Sequence, residues 1–119
     1  MSAPNIANLS SIIGKTALVS SVGTGAGSSI IASVTANHVY KLNSVVAANK
    51  TASAAAITVY ITRSAVNYNI AYQISVPGNA SLIIVGKDSQ LYMEESDVLT
   101  GIAGTATAID IMASYENIS

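Results

Sequence analysis

Two adjoining runs, residues 57–62 and 68–76, alternate apolar with small or polar side chains and constrain the fold more than any other feature of the chain. A period of two puts one class of side chain on each face of an extended strand, which is typical of half-buried β-strands. The short break Arg63-Ser64-Ala65 separates the two runs. We therefore predict an antiparallel hairpin with strands at 55–63 and 67–76.

Similar runs rich in Val, Ile and Thr recur along the chain, between segments that contain glycine, proline or asparagine. The predicted strands are 16–22, 28–34, 38–48, 55–63, 67–76, 81–85, 91–93, 97–102 and 106–115. Turns every 8–12 residues or so are the spacing of a sandwich or jelly roll. The chain is therefore predicted to be all-β, an antiparallel, jelly-roll-like β-sandwich with about eight or nine strands.

Three local signals refine this prediction. The doublet Val45-Val46 breaks the alternation, which indicates a bulge or a strand buried on both faces. Three glycines within residues 23–27 predict a loop between two strands. In Pro77-Gly78-Asn79 we expect a type II turn in which Gly78 supplies the positive φ.

With 119 residues the chain is expected to form one domain. Residues 1–11 are polar and aperiodic, so we predict an extended N-terminal arm followed by a single β-sandwich domain, residues 12–119. The first residues lack the basic and apolar regions of a secretory signal. No apolar run approaches the roughly 18 residues that span a bilayer, so we expect synthesis in the cytoplasm and no membrane partner.

The composition suggests that neighbouring molecules cover part of the surface. The chain has neither Phe nor Trp, and only 9% of its residues are charged, against about 25% in ordinary soluble domains. A core of Ile, Val, Leu and Ala buries less apolar area than one with large aromatic side chains. We therefore expect a homo-oligomer, with a trimer favoured. The net charge of −1 gives no basic footprint for nucleic acid.

No residue pattern predicts catalysis. Gly14-Lys15-Thr16 resembles the end of a phosphate-binding loop, but the required earlier glycine is absent because position 9 is Leu9. His38 is the only histidine, and no spacing pairs it with a nucleophile and an acid. Without cysteine there is neither a disulfide nor a thiolate metal site. We predict a protein that is not an enzyme and uses no cofactor.

Four of the six acidic residues lie within ten positions, at Asp88, Glu94, Glu95 and Asp97. Oxygen-rich loops of this kind can hold calcium, but the spacing matches no calcium-binding loop. We therefore favour an acidic, solvated turn, predict no metal site, and leave a structural ion at this turn as the alternative.

The tyrosines of the predicted hairpin allow two interpretations. Tyr68 and Tyr72 are separated by an even number of positions, so regular alternation places them on one face. Exposed together, they would stack on sugar rings, which would make the chain a glycan-binding module. We favour the alternative that, with Tyr60, they fill the core or a subunit interface.

Several stretches resemble small virion proteins of tailed bacteriophages, in particular those of contractile-tailed phages of marine cyanobacteria. The similarity covers most of the chain in order and is carried by short strand segments, at residues 14–17, 39–44, 57–60, 76–82, 91–97 and 114–119. The resemblance implies a structural component of the phage particle, made in the host cytoplasm, without assigning its position in the particle.

The hypothesis that follows is a capsid decoration, or cement, protein that stabilises the phage head by binding the lattice of the major capsid protein. The alternatives are a structural protein of the neck, tail or fibre attachment, and the glycan-binding module. We predict that the contacts involve the arm, the apolar doublets and the hairpin tyrosines. These residues are Pro4, Ile6, Leu9, Ile12, Ile13, Ile30, Ile31, Val45, Val46, Tyr68 and Tyr72.

Overall fold

A computed structural model describes residues 11–119, and this part of the chain contains nine β-strands and one short 3-10 turn, Lys87–Ser89. The strands are β1 (Ile12–Val19), β2 (Ser28–Ile31), β3 (Val39–Asn49), β4 (Ala55–Arg63), β5 (Val66–Val76), β6 (Ser81–Val85), β7 (Leu91–Met93), β8 (Val98–Ala103) and β9 (Ile109–Ile118).

The strands form two sheets in which every pairing is antiparallel. The five-stranded sheet has the order β1-β9-β3-β6, with β7 also pairing with β3, and the four-stranded sheet has the order β2-β8-β4-β5. The pairing is nested around the hairpin of β4 and β5: β3 pairs with β6, β2 with β8, and β1 with β9. Nested antiparallel pairing across two sheets is the jelly-roll arrangement, and it confirms the predicted fold class.

The core lies between the two sheets and is built from aliphatic side chains. The largest fully buried ones include Leu42, Ile57, Leu99, Ile109 and Ile111. Each such side chain contributes about 1.5–3 kcal/mol when it leaves water. Within the described residues, every buried side-chain nitrogen or oxygen has a hydrogen-bond partner. In the absence of Phe and Trp, the core consists mostly of aliphatic side chains.

The strand boundaries differ from prediction mainly at both ends of the first and last strands and at the end of the second, which stops at Ile31. β1 begins at Ile12 rather than at residue 16, because it pairs with β9 from Ile12 opposite Ile118 to Val19 opposite Ile111. Ser11 extends this ladder with two backbone hydrogen bonds of 3.0 Å to Ser119. The rest of the predicted N-terminal arm, residues 1–10, lies outside the described residues.

Two of the local signals have different outcomes. The register of β3 on β6 shifts between Val45 and Val46, so an irregularity occurs at the doublet as predicted, with the extra residue, Ile84, on β6. In the turn after β5, however, the positive φ of 57° belongs to Asn79, so the expected role of Gly78 is wrong. Gly78 is required because a Cβ there would collide with the backbone carbonyl of Ala52.

The rings of Tyr40 and Tyr115 pack with their centroids 4.9 Å apart. Burial raises the pKa of the Tyr115 phenol above its usual value, and the neighbouring Tyr40 adds to the rise. A phenol whose pKa is higher in the folded state keeps its proton longer there than in the unfolded chain. Its stabilising contribution is therefore present below pH ~10 and is lost as the pH rises through the folded pKa.

We expect the urea midpoint of the wild-type protein to fall as the pH is raised above about 10. In Tyr115→Phe this component of the fall disappears, because no phenol at position 115 can ionise. Urea denaturation followed by circular dichroism at a series of alkaline pH values measures both. If the urea midpoint of Tyr115→Phe falls with alkaline pH as steeply as that of the wild type, the Tyr115 phenol is not the cause of the fall.

Candidate functional site

Four apolar side chains lie side by side across the outer face of the five-stranded sheet, and we call them the outer row. Leu18 on β1 is opposite Met112 on β9, Met112 is opposite Val46 on β3, and Val46 is opposite Ile83 on β6. Leu18 is 70% exposed, Ile83 68% and Met112 41%, and Val46 is half-buried. With strands about 4.8 Å apart, the row spans roughly 14 Å.

The neighbouring positions on the same face are small or polar. Thr16, Ser114 and Ser44 line one side of the outer row, and Asp110, Ala48 and Ser81 line the other. The Lys50 Nζ lies 2.9 Å from the Asp110 carboxylate. Its hydrogen bond, with one from the Ser21 backbone N–H, lowers the pKa of Asp110. The apolar row thus lies between two lines of small or polar side chains, and the charge of Asp110 is paired with that of Lys50.

The corresponding row on the other sheet has the opposite character. Ser29, Thr100, Tyr60 and Asn69 follow one another across β2, β8, β4 and β5. Hydroxyl and amide side chains therefore occupy a row equivalent to the apolar one. Because of this difference between the two rows, we take the outer row as the candidate contact surface.

Among the predicted contact residues, Val46 lies in the outer row, whereas three others belong to the core. Val45, Ile30 and Ile31 are 0%, 7% and 5% exposed, so their assignment as contact residues is corrected. Val46 faces outward by ordinary alternation along β3, and the extra residue of the register shift, Ile84, lies on β6. A shift between Ser29 and Ile31, with the extra residue on β2, lets both isoleucines reach the core.

Ile12 and Ile13 are 54% and 51% exposed on β1, which pairs only with β9 among the described strands. They remain available for contacts. The other predicted contact residues, Pro4, Ile6 and Leu9, lie outside the described residues. Sequence reasoning missed Leu18, Ile83 and Met112, because alternation shows which residues share a face but not which faces align.

The two hairpin tyrosines do not share one face, contrary to prediction. Tyr68 lies opposite the half-buried Ile61, and Ala71 lies opposite the buried Val59. Tyr68 and Ala71 therefore lie on the same side of β5, although they are three residues apart instead of two or four. A register shift in this segment accounts for the extra residue. Tyr72 directly follows the buried Ala71 and is 61% exposed. Both tyrosines are exposed in the single chain, so neither fills its core.

The acidic turn is not uniformly solvated, because Asp97 is only 1% exposed. Its carboxylate accepts hydrogen bonds from Arg63 Nε at 2.9 Å and Nη2 at 2.6 Å, and from the Glu94 backbone N–H at 2.9 Å. The bond to Asp97, with smaller help from Glu94, raises the pKa of Arg63 above its usual value. No group of three potential metal ligands occurs within residues 11–119.

The histidine and the glycine-lysine-threonine motif both lie at or within strands. His38 precedes β3, and its Nδ1 lies 2.6 Å from Asn117 Oδ1. Gly14-Lys15-Thr16 lies within strand β1, which is not the loop that phosphate binding requires. Within the described residues, no helix is long and apolar enough to cross a bilayer.

Comparisons with family models, with curated proteins and with solved structures find no match to this chain.

Proposed function

We propose that this chain is a structural protein of a tailed-phage virion that decorates the capsid and binds the lattice of the major capsid protein through the outer row. The observation that carries the proposal is the alignment of Leu18, Met112, Val46 and Ile83 across four strands. A protein that works by surface contact needs an apolar patch with a polar border, and the outer row with its neighbours supplies one.

Binding to the capsid is expected to depend on many weak contacts acting together. Burying an exposed Leu or Ile side chain completely contributes about 1.5–3 kcal/mol, so one copy gains a modest amount from its outer row. Many copies bound to one shell, each linked to its neighbours, add avidity without any new kind of contact. We propose a homo-oligomer, with a trimer favoured, because this arrangement presents several outer rows to the lattice together.

The test is an add-back experiment on particles that lack this protein. Wild type, Leu18→Lys with Ile83→Lys, and the control Asn69→Lys are added to such particles, and bound protein is quantified. We expect the double variant to lose at least about tenfold in affinity, since it loses apolar burial and must desolvate two charges. Asn69→Lys adds the same kind of charge to the polar row and retains binding.

Equal occupancy by the double variant and wild type would overturn the role of the outer row. The copy number in native particles separates positions in the virion. A number comparable to that of the major capsid protein supports decoration. A few copies per particle would favour the neck, tail or fibre attachment instead.

A further inference from the structure

A cleft opens at the side of the sandwich where β7 of the five-stranded sheet faces the β4–β5 hairpin of the other. Its volume is about 430 Å³, and it is lined by Ile61, Arg63, Tyr68, Leu91 and Tyr92. This is within the range of about 300–1,000 Å³ that is typical of sites for small molecules. It is separate from the outer row, with which it shares no residue.

Two aromatic rings and two aliphatic side chains provide the apolar part of the cleft. Tyr68 is 58% exposed and Tyr92 48% exposed, so both offer ring surface to a ligand. Ile61 and Leu91 are partly buried and pack against the core, which gives the cleft a firm base. The tyrosines come from different sheets, one on β5 and one on β7.

Arg63 provides fixed hydrogen-bond donors. Asp97, buried beside it, holds Nε and Nη2 at 2.9 and 2.6 Å, so the guanidinium keeps one orientation. Nη1 lies 3.3 Å from the Glu94 carboxylate, whose side chain is 63% exposed. One cation among two carboxylates leaves a local charge of −1, which disfavours an anionic ligand. A neutral hydroxyl can accept a hydrogen bond from Arg63 and donate one to Glu94.

We propose that this cleft binds a short neutral saccharide. A sugar ring has apolar faces that pack on tyrosine rings, and hydroxyls at its edge that pair with a guanidinium and a carboxylate. The residues assigned to the ligand are Tyr68 and Tyr92 for stacking, and for the hydroxyls Arg63, which lines the cleft, with Glu94 beside it. The site does not depend on the proposed role in the virion.

The experiment is a titration of the isotope-labelled full chain, followed by amide chemical shifts. The neutral probes are methyl α-glucopyranoside, methyl α-galactopyranoside, methyl α-mannopyranoside and N-acetylglucosamine. The anionic probes are glucose 6-phosphate and N-acetylneuraminic acid. We expect at least one neutral probe to give saturable shifts at residues 61–63 and 91–94, with a Kd on the order of millimolar, and the anionic probes to bind more weakly.

Tyr68→Ala and Tyr92→Ala are each expected to weaken this binding about tenfold, because each removes a stacking surface. Tyr72→Ala is the matched control, since Tyr72 is equally exposed but lies outside the cleft. The dispersed spectrum of each variant shows whether it is folded.

The proposal is overturned if no neutral probe shifts these amides up to about 50 mM, if an anionic probe binds more tightly, or if Tyr72→Ala weakens binding as much as the cleft variants do. The tyrosine variants should retain particle binding, and the lysine variants of the outer row should retain sugar binding. A failure of either proposal therefore leaves the other open to its own test.

Discussion

Replacing Arg63 by methionine is expected to lower the free energy of unfolding by about 3 kcal/mol, because the Asp97 carboxylate then stays buried without its cation. Asp97 is 1% exposed, and beyond Arg63 its carboxylate receives the Glu94 backbone N–H. We place the effect at the lower end of the range for broken buried pairs, since the Arg63 side chain is 44% exposed and water enters on that side. Urea denaturation followed by circular dichroism gives the value.

The loss is expected to be large because Asp97 joins three segments. Its side chain binds Arg63 at the end of β4 and the turn that begins at Glu94. Its backbone carbonyl accepts a hydrogen bond of 3.1 Å from Val34, in the segment between β2 and β3. Breaking the pair therefore loosens the attachment of this turn to β4 as well as the turn itself.

A double-mutant cycle gives the control for this prediction. Arg63→Met with Asp97→Asn is expected to cost less than the sum of the single changes, because no unpaired charge remains buried. Lys50→Met breaks the exposed pair with Asp110 and is expected to cost no more than about 1 kcal/mol. Equal effects of Arg63→Met and Lys50→Met would show that burial of Asp97 has no special energetic weight.

Replacing Gly27 by alanine is expected to lower the free energy of unfolding by about 3 kcal/mol. Gly27 has a φ of +79°, and a Cβ there would collide with the backbone carbonyl of Gly101 and lie 2.6 Å from Cγ1 of Ile102. The left-handed conformation costs an alanine about 1–2 kcal/mol, and the clash with a paired strand adds about 1–3 kcal/mol. Urea denaturation measures the sum.

Gly25 is a matched control in the same loop. Its φ is +68°, but nothing lies within 4 Å of the place where a Cβ would stand. Gly25→Ala therefore isolates the conformational cost and is expected to destabilise by about 1 kcal/mol. If the two variants lose the same stability, the close approach of β2 to β8 at Gly101 is not what requires glycine at position 27.

These two glycines show what a local sequence pattern can predict and what it cannot. Three glycines within residues 23–27 predict a loop, and a loop is found. The pattern treats Gly25 and Gly27 alike, because the carbonyl that excludes a side chain at position 27 belongs to Gly101, more than seventy residues later. The same holds in the turn after β5, because Gly78 is required by the backbone carbonyl of Ala52, a residue that is distant in the sequence.

The candidate sites were less accessible to prediction than the strands. The Val45-Val46 doublet predicted a bulge but not which valine faces outward. Even spacing predicted a shared face for Tyr68 and Tyr72, but the register shift in β5 separates them. Four acids in one turn suggested solvent, although Asp97 is buried by a partner from another strand. The error on the tyrosines arises because alternation holds only between irregularities that strand pairing introduces, and the error on Asp97 arises because its partner is distant in the sequence.

What the sequence determined by itself is the all-β class, the hairpin of β4 and β5 and most strand positions, because a period of two is a local property of neighbouring side chains. Only the tertiary structure decided that Leu18, Met112, Val46 and Ile83 form one row, and that Tyr68 and Tyr92 share a cleft with Arg63. These surfaces depend on strand order and register, which are set by the joint packing of segments far apart in the chain.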